Sequence, residues 1–113
     1  MKIIEKMAAQ GDVAFRKIDA LPGGLTPTAA DNGAFVVAHS ETGHNHVVME
    51  RPTVKMFAAM DEFRSYLVIE DAPAAVEHLR SFDTHETIHL SPGIWEVRRQ
   101  REYTPEGFRR AAD

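Results

Sequence analysis

Residues 34–50, AFVVAHSETGHNHVVME, give the strongest indication of the fold. Two runs with strand-like composition, 34–40 and 44–50, lie on either side of the tripeptide ETG at 41–43. A three-residue connection that ends in glycine is typical of a β-hairpin, because glycine accepts the left-handed conformation such a turn needs. Alternation along the two strands predicts that the odd-numbered side chains face the hydrophobic core, namely Phe35, Val37, Val47 and Met49.

Turn-forming residues recur at short intervals along the rest of the chain, which is typical of an all-β protein. We expect further strands at 13–18, 54–58, 64–70, 85–90 and 94–102, the last two forming a second hairpin. An Asp before a Pro and helical spacing of apolar residues predict a short helix over 71–80. Residues 1–10 could form one helical turn or fray, and the tail from 104 could form a last helical turn or a final strand through 108–110. The prediction is one domain, 1–113, built as a mostly antiparallel barrel or sandwich with one or two short helices.

Composition excludes several classes of protein. The chain of 113 residues is 43% hydrophobic and 27% charged, as in ordinary globular domains, and lacks an apolar run long enough to span a membrane. It has no cysteine, so disulfides and thiolate metal sites are excluded. The N-terminus does not resemble a signal peptide, and we expect a cytoplasmic protein. The net charge of −4 makes nucleic acid an unfavoured partner.

His44 and His46 are the first candidates for chemistry. On a strand, residues two apart share a face and stand about 6.6 Å apart, so both imidazoles can reach one ion. The alternative is that both are surface histidines beside a turn. With six histidines in the chain, the sequence supports both interpretations about equally.

Glu50 and His85 extend the predicted metal site to four residues. His85 begins a later strand and is the better third ligand, whereas Glu50 needs a bulge or a strong twist to turn back toward His46. Imidazole and carboxylate ligands suit a divalent transition metal such as Zn, Fe, Mn or Ni. Three protein ligands and a water molecule are typical of catalytic metal sites, which would permit hydrolytic or Lewis-acid chemistry on a small molecule that the sequence does not identify.

Two resemblances to known families accompany these residues. The spacing His44-x-His46-x-x-x-Glu50 resembles the first metal motif of the cupin family over seven residues, which implies a metal site in a β jelly roll. Longer segments resemble a family of small uncharacterised bacterial and phage-encoded proteins, and no established activity follows from that resemblance. Those segments are GDV at 11–13, GHNH at 43–46, HETIHLSPG at 85–93 and WEVRRQREY at 95–103.

Arg98, Arg99 and Arg101 form a second charged feature. They could bind phosphate groups, since guanidinium groups bind phosphate through paired hydrogen bonds. The acidic net charge instead favours a solvated outer strand whose arginines pair with Glu96 and other glutamates. The alternative function is therefore a non-enzymatic, phage-associated interaction or assembly protein that forms a homo-oligomer or binds a protein partner through open β edges.

Overall fold

The computed structural model describes residues 2–38, 45–61, 63–78 and 87–99. Within these ranges the chain forms eleven strands and no helix, which confirms the all-β prediction, and so no helix there could cross a membrane. The strands are β1 (Ile3–Ile4), β2 (Met7–Gln10), β3 (Val13–Ile18), β4 (Thr26–Thr28), β5 (Ala34–Ala38), β6 (His46–Met49), β7 (Val54–Ala58), β8 (Arg64–Ile69), β9 (Ala74–His78), β10 (Ile88–Leu90) and β11 (Gly93–Arg99).

The described strands form two open sheets that pack as a sandwich. Sheet A has the order β1-β10-β9-β6-β5, and sheet B has the order β2-β3-β11-β8-β7-β4. The pair β1–β10 is parallel, and the other pairs described are antiparallel. Neither sheet closes on itself, so the sandwich alternative of the sequence prediction describes the fold.

The hydrophobic core lies between the two sheets. Trp95, Phe15 and Leu67 of sheet B are fully buried, and they belong to one cluster with Val76 and Leu90 of sheet A. Burying each such side chain stabilises the fold by about 1.5–3 kcal/mol. Because β11 lies between β3 and β8, Trp95 occupies the middle of sheet B.

The two strands of the predicted central hairpin pair with each other, and the predicted turn lies outside the described residues. On the second strand Val47 is buried as predicted, but Met49 is not, because the register differs from the predicted one. Ala38 pairs with His46 as expected, and a bulge between Val36 and Ala38 then shifts the register by one residue. Phe35 consequently lies opposite Val48. A one-residue shift exchanges the two faces of a strand, so the even residues of β6 face the core. His46 and Val48 are each 1% exposed, whereas Met49 is 58% exposed.

The predicted helix over 71–80 is wrong, since residues 74–78 form β9. Ala74 and Val76 are buried and their neighbours are only partly buried, a two-residue period that suits a strand between β6 and β10. Asp71 has a φ of 70°, which is a turn conformation and not that of a helix N-cap. Pairing on both sides therefore overrides the helical propensity of this alanine-rich segment. The helical turn expected after residue 104 lies outside the described residues.

The predicted second hairpin is also absent. β10 belongs to sheet A and β11 to sheet B, so the chain crosses between the sheets at Ser91 and Pro92. Two further segments differ from expectation: residues 3–10 contain β1 and β2 in place of a helical turn, and residues 26–28, where no strand was predicted, form β4. The strands predicted at 13–18 and 54–58 have the bounds expected.

The connection from β10 in sheet A to β11 in sheet B requires glycine at position 93. Its φ is 147°, and a β-carbon there would lie 2.9 Å from Cε of Lys17, which packs over the Trp95 ring. We expect Gly93→Ala to lower the free energy of unfolding by about 1–3 kcal/mol, because a strained backbone costs that much. Urea denaturation measures the loss.

Gly23→Ala is the matched control. A β-carbon at Gly23 meets no atom within 4 Å, and this glycine does not have a positive φ. Its change should stay within about 0.5 kcal/mol. Equal losses in the two variants would contradict the role given to the Gly93 backbone.

Candidate functional site

The turn between β2 and β3 brings two polar side chains to one end of the sandwich. Gln10 pairs with Val13 across the two-residue connection Gly11-Asp12. Gly11 has a φ of 61°, and glycine at the first of two turn positions is typical of a type II′ hairpin. The turn therefore holds Gln10, which is 3% exposed, next to Asp12, whose side chain is 54% exposed.

Gln10 links the two sheets through hydrogen bonds to sheet A. Its Nε2 donates to the carbonyl oxygen of Val76 at 2.9 Å, and its Oε1 lies 2.8 Å from Nδ1 of His46. A carbonyl oxygen can only accept, so the amide nitrogen of Gln10 must face Val76 and its oxygen must face His46. The Nδ1 of His46 is therefore the donor in this pair and carries a proton.

With Nδ1 protonated, Nε2 of His46 either carries a second proton in the imidazolium, which would pair with the Asp12 carboxylate, or is unprotonated in the neutral ring. In a neutral imidazole with the proton on Nδ1, Nε2 holds a lone pair that can bind a metal or accept a proton. Nε2 of His46 lies 3.7 Å from Oδ1 of Asp12. This separation exceeds the 2.7–3.2 Å of a direct N–H···O hydrogen bond, and both atoms can lie about 2.0–2.2 Å from a single ion placed between them.

The register of sheet A places further strand ends beside His46. Ala38, the last residue of β5, pairs with His46, and His46 pairs with His78, the last residue of β9. Ile88 begins β10. Four strand ends thus meet at this end of sheet A, which is also the end that Gln10 contacts. His78, which the sequence analysis put in a helix, is the register partner of His46.

The four residues predicted from the sequence have different outcomes. His46 is buried at the centre of the arrangement just described. Glu50 is exposed beyond the other end of β6, and its backbone N–H donates to the carbonyl oxygen of Gly33. His44 and His85 lie outside the described residues. Within the described ranges, no three His, Asp or Glu side chains come together as a complete metal site.

Sequence reasoning missed Gln10 and Asp12. The sequence indicates a turn at 11–12 before a strand. The residue that Asp12 approaches, His46, lies in the other sheet and 34 residues further along the chain. Only the packing of sheet A on sheet B brings these residues together. A buried glutamine beside a turn glycine gives no local pattern that would reveal such a contact.

The arginine-rich strand is not the outer strand that was predicted. β11 has neighbours on both sides, and Glu96 interacts with Arg16 at 3.3 Å and with the Tyr66 hydroxyl at 3.4 Å. Arg99 lies over the Phe63 ring at 5.2 Å, while Arg98 is exposed. Arg101 lies outside the described residues. The described side chains of this strand therefore mainly make contacts within sheet B.

Comparisons with known proteins identify a family and no activity. Searches of curated proteins and of solved structures gave no match. One family model, described as a domain of unknown function (DUF8820), matches residues 9–100, which include β3 to β11 and the histidines at 44, 46 and 85. The chain therefore belongs to the family of the domain of unknown function DUF8820.

Proposed function

We propose that the protein binds one divalent transition metal ion where β6 begins, with Nε2 of His46 and Oδ1 of Asp12 as ligands. The observation that supports this most directly is the orientation of His46: Gln10 accepts the Nδ1 proton, and Nε2 is directed toward the Asp12 carboxylate at 3.7 Å. Imidazole nitrogen with carboxylate oxygen suits Zn, Fe, Mn or Ni.

The contact between Gln10 and His46 is of the kind that orients the histidine ligands of known metal sites. Metal-binding histidines commonly donate their other ring N–H to an oxygen acceptor, which keeps one tautomer and one ring orientation. Gln10 supplies that acceptor and is itself held by Val76. His46 is therefore pre-oriented, and the exposed side of Asp12 leaves a path for the ion from solvent.

His44 and His85 complete the proposed ligand set. His44 comes two residues before His46, and His85 comes three residues before Ile88, where β10 begins. The described residues on either side of these histidines in the sequence are strand ends at the same end of sheet A: Ala38 and His46 flank His44, and His78 and Ile88 flank His85. Asp12 takes the carboxylate position that the sequence analysis gave to Glu50, because four strand residues separate Glu50 from His46 by about 13 Å.

Asp12→Asn tests whether the Asp12 carboxylate is a metal ligand, because asparagine has nearly the same size and shape as aspartate. We expect tag-free wild-type protein to hold about one ion per chain by elemental analysis, and its melting temperature to rise with the logarithm of added metal. Asp12→Asn should weaken metal affinity by about 10–100-fold, since a neutral amide is a poorer ligand. Lowering the pH should also release the ion, because protons compete for imidazole nitrogens.

Asp19→Asn is the control, because Asp19 is an exposed aspartate at the far end of β3. It should leave both the metal content and the melting shift unchanged. The proposal is wrong if tag-free protein contains no metal and Zn, Mn, Ni and Fe(II) all fail to raise the melting temperature.

A further inference from the structure

A long groove runs beside β5, where the edge of sheet A faces the edge of sheet B. Its first part has a volume of about 680 Å³ and an apolar lining that includes Phe35, Val54 and Phe57. Its second part, of about 350 Å³, is lined by residues 36–38 of β5 among others. Thr28 and Met56 line both parts, so the two cavities are adjacent and together follow β5 from Phe35 to Ala38; we call them the β5 groove.

The charge of the β5 groove is opposite to that of the chain. Among the described residues that line it are four cations, Arg51, Lys55, Arg64 and Arg99, and one carboxylate, Glu50. Arg64 is paired with Asp61 at 3.5 Å, so Arg51 and Lys55 contribute most to the positive charge. The chain as a whole has a net charge of −4. Arg51 donates to neutral oxygens, among them Oγ1 of Thr53 at 2.8 Å, so these contacts orient its guanidinium without cancelling its charge. An acidic ligand would therefore match this groove.

The backbone of β5 adds a second recognition element. Within the described residues β5 is the last strand of sheet A, with β6 on one side only. The backbone of Ala34 exchanges two hydrogen bonds with Asp31, whereas the carbonyl of Gly33 accepts from Glu50, which follows β6. Backbone groups alternate in direction along an antiparallel strand, so Val36, two residues after Ala34, has the same orientation as Ala34. Its N–H and C=O therefore point away from β6, toward the β5 groove.

We propose that the β5 groove binds an extended peptide segment in which apolar and acidic side chains alternate. The segment pairs with the backbone of Val36 as an added strand, places its apolar side chains on Phe35 and Met56, and directs its carboxylates toward Lys55 and Arg51. A second copy of this chain fits less well, because a two-fold contact would bring the same cations face to face. This binding site is separate from the proposed metal site.

The test uses two fluorescein-labelled probe peptides that alternate valine with glutamate or with lysine. In fluorescence anisotropy, the glutamate peptide should bind at least about tenfold more tightly than the lysine peptide. Lys55→Glu should weaken binding of the glutamate peptide by about tenfold, and Arg98→Glu, an exposed arginine outside the groove, should leave it unchanged. Hydrogen exchange at the Val36 amide should slow when the peptide binds.

Three results would overturn the proposal. The first is equal binding of the two peptides, or binding that does not depend on Lys55. The second is a dimer in sedimentation analysis in which the Val36 amide is already protected without peptide, since a second copy would then occupy the groove. The third is Lys55-dependent binding of laurate, a long-chain carboxylate, without binding of the glutamate peptide, since the ligand would then be a small amphiphile.

Discussion

Trp95→Ala is expected to lower the free energy of unfolding by about 3–5 kcal/mol, which is the usual loss for removing a large aromatic side chain from a core. Trp95 is 0% exposed in the middle of sheet B, and its Nε1 donates to the carbonyl oxygen of Ser91 at 2.9 Å. The substitution removes the ring and also leaves that buried carbonyl without its donor. Equilibrium denaturation in urea measures the change.

Met60→Ala provides the comparison for Trp95, because Met60 is 99% exposed. Its free energy of unfolding should change by less than about 0.5 kcal/mol. A loss below about 1 kcal/mol for Trp95→Ala would mean that the two sheets do not share the core described here.

His46→Asn is expected to reduce metal affinity by at least about 100-fold, because it removes a ligand atom, and loss of a residue that only supports a ligand already costs about 10–100-fold. The asparagine amide can donate to Oε1 of Gln10 in place of Nδ1, so the link between the sheets is kept. Nothing in asparagine replaces Nε2, which is the ligand atom in the proposed site. Isothermal titration with zinc measures the change, and circular dichroism confirms that the fold is retained.

The control for this variant is His89→Asn. His89 lies on β10 in sheet A and is partly buried, so it tests whether any histidine of this sheet would give the same effect. Zinc affinity should be unchanged in His89→Asn. Equal losses in the two variants would contradict a specific role for His46.

The sequence predicts the strands of this fold where local alternation is strong. The strands Val13–Ile18 and Val54–Ala58 have the predicted bounds. Turn-forming residues mark where these strands begin or end, and apolar residues alternate within them. β9 was missed because Ala74 and Ala75 favour a helix locally, while pairing with β6 and β10 makes this segment a strand. Such pairing is a long-range contact, and residues 71–80 contain no sign of it.

The candidate site was predictable only in part for the same reason. The spacing of His44 and His46 identified His46 as a candidate ligand. Its orientation toward the core follows from the bulge in β5, which no sequence pattern indicated. Its partners Gln10 and Asp12 come from the turn of a hairpin in the other sheet. A sequence can indicate which histidine has suitable chemistry, whereas the tautomer and the neighbouring carboxylate depend on how the sheets pack.

The most direct test of the metal proposal is a long-range proton–nitrogen NMR correlation of the His46 imidazole in ¹⁵N-labelled protein, recorded before and after zinc is added. We expect Nδ1 to be protonated in both spectra, because Gln10 accepts its proton, and zinc to shift the Nε2 resonance of His46. An Nε2 resonance that does not move at saturating zinc, or zinc bound through Nδ1, would contradict the metal proposal.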